Sequence, residues 1–267
     1  MKRTILLAFF FFIGSLAYFL FIAKTTKNPE YQLKEAYREY VKGEKAGTAG
    51  ERRAAFNRAL SLYTDLEREP PPAFGNGKLY YNIANSYFQL GQYPWAVYYY
   101  YRALALMPRN DKVVHNLSVA LNKLDLRAGE EQLIFSRIFP FHHYLSLPER
   151  LQVFFGLGLL TLVLGSLYLW SRRSWLRKTA ILTAVLTGVM LLSLGYSHYI
   201  APIEGVIIRS TALYRDAGEQ YAKVRDAPIL SGSRVEVLDV LREGRWLKVM
   251  TEKGDLGYIP HDSIRIL

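Results

Sequence analysis

Cysteine is absent from all 267 residues, which excludes a disulfide framework, a thiolate nucleophile and any cysteine-ligated metal. Acidic residues are scarce beside basic ones, 23 against 34, giving a formal charge of +11. Histidine is sparse: His115, His142, His143, His198 and His261 are scattered, and only the adjacent His142 and His143 invite a metal. Without a third histidine or a carboxylate cluster beside them, they read better as interfacial histidines than as ligands. No GxxxxGK[ST] phosphate loop, HExxH helix or GxSxG elbow occurs. The expectation is a protein that is not an enzyme and carries no cofactor.

The positive charge would suit nucleic acid if it were spread over a folded surface, and it is not. From Ala201 to the C-terminus acids and bases cancel, whereas Arg172, Arg173, Arg177 and Lys178 crowd one short connection between two apolar runs. Charge gathered on apolar flanks marks a membrane protein, so nucleic-acid binding is the weaker reading. Residues 151–170 and 179–200 each have the length of a spanning helix and contain no Asp, Glu, Lys or Arg. The four cations place their connection, residues 171–178, in the cytoplasm. Trp170, Trp175, Tyr196 and Tyr199 stand near the span ends, where amphipathic rings settle. Both flanking regions then face away from the cytoplasm.

Lys2 and Arg3 precede an uncharged run over residues 5–23, the order of an export signal. Ser15 and Ala17 offer a small-x-small cleavage site, but Tyr18, Phe19, Leu20 and Phe21 continue past it. A removed peptide and an uncleaved anchor both stand. Ala180, Ala184 and Gly188 recur every four residues on the second span, and Thr161 and Gly165 form a shorter ridge on the first. Such ridges let helices approach closely. They predict a hairpin packed within the chain, with docking on a partner's helix as the alternative.

Residues 77–110 fit the tetratricopeptide (TPR) pattern of about 34 residues. Tyr80, Ile83, Ala84 and Tyr87 fall on a first helix, Gly91 at the turn, and Ala96, Tyr100, Ala103 and Leu104 on a second, with Pro108 closing the repeat. Small Ala84, Ala96 and Ala103 let the helices touch while larger neighbours fill the gaps. One repeat cannot bury its own faces. Downstream, Asn110 or Asp111 caps a helix running through Lys123, with Val114, Leu117 and Leu121 at core spacing. Upstream, residues 31–41 and 51–67 form a degenerate pair in which Phe56, Ala59 and Leu60 match the second-helix pattern. Pro70, Pro71 and Pro72 then lead into a linker. The sum is a minimal array of about two and a half repeats.

Lys78 and Asn82 recur as Lys112 and Asn116 at the same repeat positions. A repeated Lys/Asn pair along a groove suits a peptide carboxylate, although Asn in this place also serves helix packing. Tyr98, Tyr99, Tyr100 and Tyr101 must point around every side of a helix, which predicts that part of the run is exposed: a partner surface, or rings resting on the bilayer interface or on a neighbouring module. Leu133, Ile134, Phe135, Ile138, Phe139 and Phe141 suggest an amphipathic segment on the membrane surface. Ser146 and Glu149 fit a capping box opening the first span.

After Pro202 the pattern changes to short alternating strands over residues 205–209, 212–215, 233–240, 245–250, 257–260 and 264–266, punctuated by glycine turns. Gly232-Ser233 before a Val-x-Val-Leu strand, Trp246-x-Lys248-Val249, and Gly257-Tyr258-Ile259-Pro260 resemble a bacterial SH3-like barrel. The resemblance implies binding of peptides or cell-wall material, with Trp246, Tyr258 and Pro260 lining an aromatic groove; Trp246 as a core residue is the alternative.

The expected fold class is therefore a multi-domain membrane protein: an α-helical TPR solenoid, a two-helix transmembrane hairpin and a small all-β SH3-like barrel. Its order is a signal peptide or anchor at 1–27, TPR-like helices at 28–128, an interfacial segment at 129–148, the hairpin at 149–200 and the barrel at 203–267. With the Leu79–Phe88 helix, Pro108-Arg109-Asn110-Asp111 and Asn116-Leu117, this order resembles the BatE-type proteins of aerotolerance operons. The resemblance implies a non-catalytic scaffold in the bacterial inner membrane, with TPR and SH3-like modules extracytoplasmic. It also implies partners: von Willebrand factor A-type membrane proteins, a BatD-like protein and a MoxR-type ATPase. Peptidoglycan binding through the SH3-like end is a second reading. An envelope stress sensor is a third, weakened because only a short basic loop faces the cytoplasm.

Overall fold

The computed structural model describes residues 30–68, 77–126, 144–241 and 243–267, which fall into two compact units, Met1–Gly75 and Asn76–Leu267. The signal segment read at 1–27, the prolines at 70–72 and most of the interfacial segment, with His142 and His143, lie outside the described residues.

The first unit is a helical hairpin of α1 (Glu30–Lys45) and α2 (Ala49–Arg68). Small residues bring the helices together and two rings fill the seam. Ala36, Ala55 and Ala59 are buried beside Phe56 and Tyr63, and the Tyr40 ring tilts onto Phe56 at 5.1 Å. A Cβ at Gly43 would stand 2.9 Å from the Phe56 ring, so close approach demands glycine there. Thr48 opens α2 by accepting the Glu51 N–H at 3.2 Å, the usual work of an N-terminal hydroxyl.

The second unit begins with α3 (Gly77–Gln89), α4 (Tyr93–Leu106) and α5 (Asp111–Asn122). Gly91, at φ 74°, reverses the chain between α3 and α4 in a conformation only glycine adopts cheaply. Pro94 sits in the first turn of α4, where its missing N–H costs nothing. Asn110 caps α5, its side chain accepting from the Lys112 and Val113 backbones at 3.1 and 3.3 Å. Ile83, Ala84, Ala96, Val97, Ala103, Val113, Leu117 and Leu121 are buried among the three helices.

The tyrosine run lacks the expected exposure and meets the alternative of rings resting on the neighbouring module. Tyr98, Tyr99 and Tyr100 are buried and Tyr101 is half-buried, so none of the four is exposed. The reason lies beyond the repeat: α3 and α5 pack on two sides of α4, and the C-terminal sheet packs on another.

That sheet has five antiparallel strands in the order β4-β3-β2-β1-β5: β1 (Ile203–Ile207), β2 (Arg234–Leu241), β3 (Trp246–Thr251), β4 (Leu256–Pro260) and β5 (Ile264–Ile266). Alternation drives it, since β3 buries Leu247 and Val249 while Trp246, Lys248 and Met250 take the other face. Ile207, Leu213, Val235, Val237, Ile259 and Ile264 complete the core with them. The expected barrel is corrected here: β4 and β5 stand at opposite edges, and among the described residues no pairing joins them. Residues 212–215, read as a strand, contribute only bridges, of which Tyr214 to Tyr258 lies along the outer edge of β4.

Two long apolar helices, α6 (Leu147–Ser171) and α7 (Ser174–Tyr199), form an antiparallel hairpin with the length and composition to cross a membrane. Both differ from the charge-free windows. Helix α6 starts earlier, because Ser146 and Glu149 close a full capping box, and α7 starts earlier too, taking Arg177 and Lys178 into its first turns. The connection shrinks to Arg172, left-handed at φ 53°, and Arg173. The seam of α7 is made by Leu176, Thr183 and Ser193, all buried. Ala184 is exposed, and space beside Gly165 and Gly188 is open, so the small-residue ridges do not form this seam.

Candidate binding surfaces

Asn116 sits on the inner side of α5 and donates through Nδ2 to the Tyr81 hydroxyl and to Asn85 Oδ1, both at 3.1 Å. The same Asn85 oxygen accepts from the Tyr100 hydroxyl at 2.6 Å. Tyr100 is 1% exposed, so its hydroxyl needs this partner. The four side chains tie α3, α4 and α5 together. Of the Lys/Asn pairs read from the sequence, Lys78 and Lys112 are exposed, whereas Asn82 and Asn116 are half-buried. Asn116 spends its amide donors on α3.

On the opposite flank of α3 and α4 the side chains are aromatic. Tyr87 stacks on both Trp95 and Tyr99, at 5.7 and 5.5 Å with 18° between planes. Tyr98 meets Tyr99 edge-on at 5.0 Å. The Arg102 guanidinium lies 3.9 Å from the centre of the Tyr80 ring and also reaches its hydroxyl. Guanidinium groups favour aromatic faces in this way, by charge and by planar contact. Two cations from the sheet complete the enclosure of α4: Arg265 lies over Trp95 at 5.3 Å, and Arg234 over Tyr101 at 5.4 Å. Burial pushes the Tyr101 phenol above its ordinary pKa, and the nearby Arg234 charge offsets part of the rise.

The predicted aromatic groove on the sheet comes together in part. Trp246 lies directly opposite Pro260 in the β3–β4 register, and Tyr258 is opposite Lys248 on the same face. All three predicted residues are half-buried, and none belongs to the core cluster. Tyr214, not singled out from the sequence, adds a ring edge-on to Trp246 at 5.6 Å, held by paired backbone hydrogen bonds with Tyr258 of 2.9 and 2.8 Å. The result is a patch of three rings and a proline beside a lysine.

Two further residues escaped sequence reading. Arg109, in the α4–α5 turn, pairs with Glu149 at the start of α6 and lies over the Tyr144 ring at 5.1 Å, so this side chain links the repeat to the first apolar helix. Arg150 follows Glu149 and is 6% exposed. Its Nη1 donates to Ser193 Oγ at 3.1 Å and Ser197 Oγ at 2.7 Å, crossing from the first turn of α6 to the last turns of α7. A cation at that end also meets the negative pole of the α7 dipole. The spacing of Ser193 and Ser197, four apart near the end of α7, was the available signal. Among the described residues no group of three or more His, Asp or Glu is placed to hold a metal.

A helix pair with small residues at its crossing, extended by a third helix stacked on its flank, is the arrangement of a helical repeat. The tetratricopeptide repeat family matches residues 77–110, a range that coincides with α3, α4 and the turn after them. This match suggests a role in protein–protein interaction. No curated protein matches the chain.

Proposed function

We propose that the protein is a non-catalytic, membrane-anchored scaffold of a bacterial envelope complex, of the Bat aerotolerance type. The observation that carries the reading is that one compact unit contains the repeat, the sheet and the apolar hairpin, joined through Arg265, Arg234 and Arg109. A scaffold needs this property: partners engaged by different modules are then held at fixed mutual distance. The apolar hairpin spans the inner membrane, and the basic residues at its turn face the cytoplasm, leaving repeat and sheet extracytoplasmic. By resemblance the partners are von Willebrand factor A-type membrane proteins and a BatD-like protein, with a MoxR-type ATPase in the wider assembly. Lys78 and Lys112, exposed on α3 and α5, supply charge for a partner's carboxylates along the repeat.

Affinity capture of the intact protein from native membranes in mild detergent tests this. Recovery of the von Willebrand-type proteins supports the reading, and their reproducible absence overturns it. A second reading is favoured by the Tyr214, Trp246, Tyr258 and Pro260 patch, because clustered half-buried rings suit sugar faces as well as peptides. Purified peptidoglycan should then retain the full chain and release Trp246→Ala; equal retention of both removes this reading.

A further inference from the structure

Aligning Phe56, Ala59 and Leu60 of α2 with Tyr100, Ala103 and Leu104 of α4 exposes a difference between the two helical pairs. Where α4 carries Tyr98 and Tyr99, α2 carries Ala54 and Ala55; where α4 carries Trp95, α2 carries Glu51. The arginine is retained, as Arg102 in one and Arg58 in the other. In the repeat that arginine is wrapped by the Tyr80, Tyr98 and Tyr99 rings. In the α1–α2 hairpin alanines stand in place of the rings, and a groove of about 740 Å³ opens along this flank. Its rim is basic: Arg38, Lys42 and Lys45 from α1 and Arg58 from α2, all exposed, against a single lining carboxylate, Glu51. Lys42 makes only a 3.9 Å approach to Glu39 and keeps 63% of its side chain exposed.

We infer that this groove binds an acidic, extended peptide segment of a partner protein. The chemistry points one way. A cleft with four cations against one carboxylate concentrates a positive field inside itself, and the volume lies within the usual range for ligand clefts, about 300–1,000 Å³. Four long cationic side chains on two helices flank a floor of Ala54 and Ala55, which leaves room for a backbone and side-chain stems between them. Concavity disfavours a planar bilayer surface, which would meet the rim and leave the floor empty. The inference does not rest on the Bat reading, since any acidic segment of suitable length satisfies it.

The test uses purified full-length protein in phosphatidylcholine nanodiscs and a fluorescein-labelled hexaglutamate peptide, followed by fluorescence anisotropy. Arg38→Ala with Arg58→Ala should weaken binding about tenfold, and Glu51→Gln should tighten it about threefold by removing a like charge. Arg52→Ala with Arg53→Ala removes the same net charge outside the groove and should leave affinity unchanged. Arg38→Lys with Arg58→Lys should retain most binding, which separates charge from any effect on folding. Equal weakening by the two alanine pairs would mean nonspecific attraction and overturn the proposal. So would complete displacement of the peptide by millimolar inorganic phosphate, or a preference for phosphatidylglycerol vesicles through the same arginines. Failure to capture Bat partners leaves these outcomes untouched.

Discussion

Replacing Asn116 with alanine separates a ligand-binding role from a structural one. The substitution removes two neutral hydrogen bonds, to Tyr81 and Asn85. Each is worth about 1 kcal/mol net. Water reaches half-buried Asn116 and recovers some of that, so the expected loss is about 1–2 kcal/mol. Unfolding of a cooperative unit the size of residues 76–267 should then move down by roughly 3–6 °C. Tryptophan fluorescence during thermal unfolding of the full chain in detergent reads this directly, because Trp95 is stacked on Tyr87 in the same three-helix cluster. The effect should also be non-additive with Asn85→Ala, which removes the oxygen that accepts from the Tyr100 hydroxyl; a coupling of about 0.5–3 kcal/mol is expected for residues sharing one network. If Asn116→Ala unfolds within 1 °C (about 0.3 kcal/mol) of the native protein, the network carries no weight and the reasoning fails.

Ser193→Ala combined with Ser197→Ala should destabilise the hairpin more than Arg150→Met, because the first leaves a buried guanidinium stripped of two acceptors while the second removes the charge itself; the order of protease-resistance midpoints in detergent decides it. Gly205→Ala should cost about 1–3 kcal/mol, since the new methyl would stand 2.5 Å from Ile264 Cδ1 and 3.1 Å from the Arg265 carbonyl oxygen, prying β5 from β1; hydrogen exchange at β5 reports it. Absorbance at 295 nm should show Tyr63 and Tyr101 still protonated after the exposed tyrosines ionise, both raised chiefly by burial. Their folded pKa values lie above the unfolded value, so their contribution to stability is intact below pH of about 10 and is lost as pH rises beyond it; Tyr101→Phe should remove one late step. A cysteine placed at Ser174 in this cysteine-free chain should resist a membrane-impermeant maleimide from outside intact cells, and labelling there would reverse the topology.

The repeat was legible because its code is steric: small Ala84, Ala96 and Ala103 at fixed spacing can pack closely only as crossing helices, and all three are buried. The tyrosine run misled because a helical wheel describes one helix, whereas the cover over Tyr101 and Trp95 comes from Arg234 and Arg265, over a hundred residues later. The strands announced themselves through alternation, but alternation says nothing about which edges meet, and an open sheet and a closed barrel share it. Arg150 was passed over because a search for uncharged windows stops at the first charge; only the partner serines on α7 show that the charge is accommodated. The three patch residues Trp246, Tyr258 and Pro260 were singled out by type, and the β3–β4 register explains their juxtaposition. The basic groove was invisible to pattern reading, since it arises from side chains that are small where the repeat's are large.

Glu149 is gripped from two directions, by the Ser146 backbone and hydroxyl on one oxygen and by Arg109 on the other. The ion pair is partly solvated and contributes little energy, yet it marks where the α4–α5 turn meets the first turn of α6. Rolling or tilting that helix, as a thicker or thinner bilayer would require, drags the α4–α5 turn along with it. The repeat and the first apolar helix are thus coupled where the α4–α5 turn meets the start of α6.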